Sequence, residues 1–171
     1  IIIKSNYKFE YIDLGGGMGI DYAHNNSKLN LKKYAHNIEK FLKRNKCKII
    51  FEPGRSIIGN SAILITKIIY IKEGFKKDFV ILDAGMNDFM RPALYGATHE
   101  MLPILQNDAK KNKVIEFVGP ICETSDKFLT LDSFQNINEG DFIAISNTGA
   151  YGSSMSSNYN IRPNIAEILV N

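Results

Sequence analysis

The sequence predicts an α/β segment followed by an all-β domain, and three features predict it. Apolar runs at 9–13 and 48–51 flank one amphipathic stretch, which is the strand, crossover helix, strand order of a parallel βαβ unit. Beyond about Gly59 the helical periodicity stops, and short β-type runs separated by Gly, Asp, Asn and Lys take over. The 171 residues are 44% hydrophobic, which supports a real core in one large domain or parts of two.

Phe9-Glu10-Tyr11-Ile12-Asp13 reads as a strand running into Leu14-Gly15-Gly16-Gly17-Met18-Gly19, a loop of bare backbone. Leu31, Tyr34, Ala35, Ile38, Phe41 and Leu42 then recur at helical spacing, with Lys32, Lys33, Glu39, Lys40 and Lys43 on the other face. Lys48-Ile49-Ile50-Phe51 is the second strand and ends at Glu52-Pro53-Gly54-Arg55. Active-site groups of parallel α/β folds gather at the carboxyl ends of strands, where both of these stretches fall. The later β runs are 62–65, 68–71, 79–82, 114–118 and 142–145, the pattern of an antiparallel sheet or small barrel. A domain boundary is expected near residues 57 to 60, separating 1–57 from 58–171. Ser146 to Asn160 is rich in Ser, Asn and Gly, yet Tyr151, Met155 and Tyr159 interrupt it, so an ordered site loop is expected there and not a linker.

A net charge of +3 with scattered lysines argues against a nucleic-acid partner. The longest apolar stretch, Ser61 to Ile71, is broken by Lys67 and is far shorter than the ~20 residues of a membrane span. The opening residues do not read as a secretory leader. Cys47 and Cys122 lie far apart without metal spacing, which suits a reducing compartment, so the cytoplasm is expected. His24, His36 and His99 lack ligand spacing and read as surface or packing residues, and no metal site is expected. Both ends read as cut, since Ile1 is not an initiator Met and Asn171 directly follows an apolar run.

Each motif has a plain reading beside a chemical one. Gly15, Gly16 and Gly17 suit either a tight turn or phosphate oxygens, which favour converging N–H donors. The dinucleotide fingerprint fails, because Ile20 stands where its third glycine belongs. Glu52 and Arg55 are either a structural ion pair or the acid and base of a site; with the glycine loop they suggest an anionic cofactor. Asp83-Ala84-Gly85-Met86-Asn87-Asp88 could be a loop that only turns. Cys122, in Gly119-Pro120-Ile121-Cys122-Glu123, could be a small buried hydrophobe. Beside an acid it is better placed to hold and release a proton than to act as a permanent thiolate.

Taken together and in order, Leu14–Ile20, Glu52-Pro53-Gly54-Arg55, Asp83–Asp88, Arg91-Pro92-Ala93-Leu94-Tyr95-Gly96, Gly119–Glu123 and Gly149-Ala150-Tyr151 resemble the diaminopimelate decarboxylase family. The resemblance runs from about residue 9 to residue 170. It implies a fold-type-III pyridoxal-phosphate enzyme of lysine biosynthesis, with a (β/α)8 barrel, a following β domain, and a homodimer whose active sites lie at the subunit interface. Residues 1–57 would be the last βα units of that TIM-like barrel, and 58–171 most of the antiparallel β domain.

The resemblance also implies roles. The amides of Gly16, Gly17 and Gly54, in a turn shaped by Pro53 and continued by Arg55, would hold the phosphate of pyridoxal 5'-phosphate with the Tyr151 hydroxyl. Glu52 would face the pyridine nitrogen. Arg55 and Arg91 would clamp the distal carboxylate of meso-diaminopimelate, with Tyr95 and Tyr151 alongside and Glu123 on the distal ammonium. Cys122 would return a proton after carbon dioxide leaves, and Cys122 and Glu123 would act in the partner subunit's pocket. The lysine that bonds the cofactor and the histidine that stacks on it would precede Ile1, so these 171 residues alone are expected not to turn over substrate.

Two other readings remain open. Decarboxylases of ornithine, arginine or carboxynorspermidine share the cofactor motifs, although a diamine product needs no clamp on a second carboxylate, whereas the amino-acid group at each end of meso-diaminopimelate matches a cation pair plus the acid Glu123. A non-catalytic regulatory homologue or gene remnant is the alternative from another class.

Overall fold

The computed structural model describes residues 8–22, 29–106 and 110–170; His24 lies outside them. The chain divides into two compact units, Ile1–Ile57 and Ile58–Asn171.

In the first unit, β1 (Tyr11–Asp13) and β2 (Lys48–Ile50) pair in parallel, with Tyr11 opposite Lys48 and Asp13 opposite Ile50. Helix α1 (Leu31–Asn45) joins them. It starts where Asn30 accepts a hydrogen bond from the Lys33 amide at 2.9 Å, satisfying one of the donors a helix start leaves orphaned. It ends where Lys46 turns left-handed and its N–H closes on Leu42 O, with Lys43 and Arg44 facing the negative end of the helix dipole. The Tyr34 ring meets Phe51 at 6.0 Å between centroids, which brings the apolar stripe of α1 to the end of β2. A five-residue helix, α2 (Gly54–Ile58), follows the Glu52-Pro53 turn.

The second unit is a curled, mostly antiparallel sheet. Its strands are β3 (Leu64–Lys72), β4 (Lys77–Leu82), β5 (Met101–Pro103), β7 (Val114–Val118), β8 (Lys127–Leu131) and β10 (Phe142–Ile145), in the order β5-β10-β3-β4-β7-β8. The short strands β6 (Lys110–Lys111) and β9 (Phe134–Gln135) pair separately. All neighbours are antiparallel except β4 and β7, which run parallel because the chain between them, carrying α3 (Arg91–Tyr95), crosses back over the sheet.

Runs 62–65 and 68–71 are not two strands, as their separation suggested. They form one nine-residue strand, β3, because side chains alternate through Lys67 and a register shift at Ile68/Tyr70 absorbs the irregularity. Alternation puts Leu64, Thr66 and Ile68 inside with Val80, Leu82, Ile115, Phe117, Phe128, Ile143 and Ile145. Phe117 meets Phe134 edge-to-face at 5.2 Å, in the geometry aromatic quadrupoles favour.

Candidate active site

In the first unit the two strand ends are laced together. Leu14 N donates to Ile50 O at 3.1 Å, and Glu52 N donates to Gly15 O at 2.8 Å. Asp13 turns its carboxylate onto the Gly15 amide at 2.7 Å. Gly16 lies so close to the second strand end that a Cβ would stand 2.5 Å from Glu52 O, so no other residue fits without moving that backbone. The Gly54 amide donates to Glu52 O at 2.8 Å and would meet a phosphate only as a shared donor. Ser56 Oγ donates to Pro53 O at 3.1 Å and steadies the turn. Arg55 lays its guanidinium over Tyr22, 5.9 Å from the ring centroid, while Glu52 is exposed.

This donor set fits a phosphorylated pyridine cofactor. A phosphate requires backbone N–H groups unobstructed by side chains, and a pyridinium nitrogen requires a carboxylate. Gly16, Gly17 and Glu52 provide both chemistries from two adjoining strand ends, and the space a Cβ would take at Gly17 and Gly54 is open.

The second unit carries the remaining predicted residues on α3 and on the loops that connect its strands. The Asp83–Asp88 loop does more than turn. Thr66 Oγ1 and Lys67 N both donate to Asp83 Oδ1, at 2.6 and 2.8 Å, and Gly85 N donates to Asp88 Oδ2 at 2.8 Å. That loop is tied to the loop carrying Cys122 by one carboxylate, since Asp126 accepts from Met86 N and Ile121 N, each at 2.7 Å. Burial pushes the Asp126 carboxyl above its ordinary value, against the pull of those two amides and of Arg162. Arg162 also donates to Asp83 O and stands 4.0 Å from Asp88. The anchored loop presents Cys122 and Glu123 on the surface, so Cys122 is not a buried hydrophobe.

Tyr159, in a 3-10 turn at Tyr159–Ile161, donates its hydroxyl hydrogen to Glu123 Oε1 at 2.5 Å. Tyr151 sits at φ 59°, a left-handed conformation that side chains resist. Its loop is pinned by Gly149, whose N–H donates to Gly59 O at 3.1 Å and whose missing Cβ leaves room for Ile58 O. The buried Arg91 guanidinium lies 5.7 Å from the Tyr151 ring centroid, and Arg91 Nε donates to His99 Nε2 at 3.3 Å. Tyr95, four residues on, is exposed. Sequence reasoning places His99 among surface or packing residues and misses this contact. It also gives no role to Asp126 or Tyr159, although Tyr159 stands out as an aromatic in a polar loop. Among the described residues, no three His, Cys, Asp or Glu side chains gather closely enough to hold a metal ion. No described helix is long and apolar enough to cross a membrane.

Two laced strand ends rich in glycine amides and acid in the first unit, and a curled sheet whose connections carry Arg, Cys and Glu in the second, define a class. Residues 7–149 match the family model described as pyridoxal-dependent decarboxylase, C-terminal sheet domain, and the chain belongs to that family. Its similarity in sequence is high to diaminopimelate decarboxylases. The diaminopimelate decarboxylase of Aquifex aeolicus is 44% identical over 170 residues, covering 99% of this chain and 40% of that protein. The Neisseria meningitidis serogroup B diaminopimelate decarboxylase is 46% identical over 161 residues, covering 94% and 38%. The crystal structure of Helicobacter pylori diaminopimelate decarboxylase complexed with L-lysine superposes with a TM-score of 0.82 at 45% identity, covering 91% of this chain and 38% of that one. The chain thus spans about two fifths of the length of the curated relatives it matches.

Proposed function

We propose that the whole protein decarboxylates meso-2,6-diaminopimelate to L-lysine, using pyridoxal 5'-phosphate. The observation that carries this reading is similarity to diaminopimelate decarboxylases along nearly the entire chain, which itself carries a guanidinium at Arg91 and a carboxylate at Glu123. When bound, the cofactor supplies an electron sink for the pair released as the α-carboxylate leaves.

The chain's own residues bind, orient and move a proton. Amides of Gly16 and Gly17 hold the phosphate, with Gly54 as a shared donor and the Tyr151 hydroxyl as a further one. Glu52 keeps a proton on the pyridine nitrogen by offering it an opposite charge. Arg55 and Arg91 bind the distal carboxylate with Tyr95 and Tyr151, and planar guanidinium groups match the two oxygens in a way lysine cannot. Glu123 takes the distal ammonium. This two-point grip orients the scissile bond, which is what a reaction needing little further assistance requires. Cys122 Sγ then delivers a proton to the carbon that lost its carboxylate. Exposure of Cys122 and Glu123 suits a homodimer in which both reach the partner subunit's pocket.

The test is product analysis with the whole protein supplied with pyridoxal phosphate. Carbon dioxide and L-lysine are expected from meso-diaminopimelate, with no turnover of ornithine or arginine. Release from ornithine but not diaminopimelate would overturn the substrate assignment. Cofactor binding without turnover of any of them would favour a regulatory homologue.

A further inference from the structure

We propose that His99 is a positioning residue for Arg91, fixing the guanidinium for the distal carboxylate through a neutral imidazole with its proton on Nδ1. This rests on the reading that Arg91 binds substrate.

The geometry assigns the tautomer. His99 Nδ1 lies 2.9 Å from Ser146 O, and a carbonyl only accepts, so Nδ1 carries the hydrogen. Arg91 Nε only donates, so Nε2, 3.3 Å away, must offer its lone pair. One neutral ring therefore satisfies both neighbours, whereas a doubly protonated ring would set an N–H against the guanidinium. Both residues are nearly sealed from water, at 2% exposure for His99 and 6% for Arg91, where a charge-assisted hydrogen bond is strong and a lost one costly. Phe89 holds the ring edge-to-face, with centroids 4.7 Å apart.

The consequence is directional. Arg91 begins the short helix α3, and its guanidinium is engaged from outside that helix. His99 braces it from the loop before β5, and Ser146, just after β10, fixes His99 in turn. With Nε engaged by His99, a carboxylate approaches by the Nη edge, so the imidazole sets the angle at which substrate is gripped. Packing alone would need neither this tautomer nor this contact.

Two substitutions separate the ring nitrogens. His99→Asn keeps a donor for the Ser146 carbonyl but is too short to reach Arg91; His99→Gln reaches Arg91 with its amide oxygen. In the whole protein, His99→Asn is expected to raise KM for meso-diaminopimelate ~10-fold or more with kcat within about twofold, the effect of one charge-assisted hydrogen bond. L-lysine, which keeps the distal carboxylate, is expected to bind weaker by a similar factor in calorimetry. His99→Gln is expected to stay within about threefold of wild type on both measures.

Arg91→Lys serves as the control. If it weakens binding while the Asn and Gln variants behave alike, or if both His99 variants fail to fold, His99 is a core residue and the proposal is overturned. If Arg91→Lys itself leaves KM and L-lysine binding unchanged, the substrate role of Arg91 is wrong and the proposal falls with it.

Discussion

Tyr159 commits its hydroxyl hydrogen to Glu123, and this pair shows how much of the site depends on partners distant in sequence. The bond to the carboxylate, together with its negative charge, disfavours a phenolate and holds the Tyr159 hydroxyl above the ordinary 10.0. Following the tyrosine ring carbons by NMR across alkaline pH should show one late midpoint, which Glu123→Gln brings back toward 10. Equal midpoints in the two proteins would contradict the pairing. The candidate site residues Gly16, Glu52, Arg55, Arg91, Cys122 and Glu123 could be named from the sequence because they stand in motifs whose types and order are informative. Residues that position them could not. His99, Asp126 and Tyr159 act through geometry between separate loops, and neither periodicity nor spacing encodes that a histidine meets an arginine through one nitrogen.

Glu116 on β7 binds three strands of the sheet, and its behaviour belongs to the element scale. Its buried carboxylate pairs with Lys77 on β4 and with Lys127 on β8 at 3.3 Å, while Thr130 donates to it at 3.4 Å. Burial works to raise its pKa, but the two lysines outweigh burial and hold it below the ordinary 4.5. A carboxyl depressed by folding adds stability above its unfolded value and loses it as pH falls through the folded value. Glu116→Gln should therefore cost about 1–3 kcal/mol at pH 7, with the difference from wild type shrinking as pH drops below 4.5 in urea titrations. A pH-independent difference would mean that packing and not charge is at work.

Strands were legible where a compact apolar run marked them, as in β4, β7 and β10. They were misread where a charged residue interrupted a continuous strand, as Lys67 does in β3. The brief β5 and β9 carry too few residues to establish a period, and β8 mixes Lys127 and Thr130 into its apolar run. The parallel β4/β7 pair depends on a crossover that no local pattern announces.

For the molecule as a whole, the two units divide the chemistry. The first carries backbone amides and an acid at paired strand ends, and the second carries a cation on α3 and a thiol and carboxylate on a loop fastened by Asp126. The order of fold classes was legible because hydrophobic period changes near Gly59, from helical spacing to short β runs. The central claim is that the loop bearing Cys122 takes part in decarboxylation and is more than a surface turn. Replacing Cys122 with Ala in the whole protein, then timing carbon dioxide release from meso-diaminopimelate, tests it most directly. The account predicts a loss of about 100-fold or more in kcat with the cofactor's absorbance unchanged, the size expected when a proton donor is removed. Undiminished release from the Ala variant would contradict it.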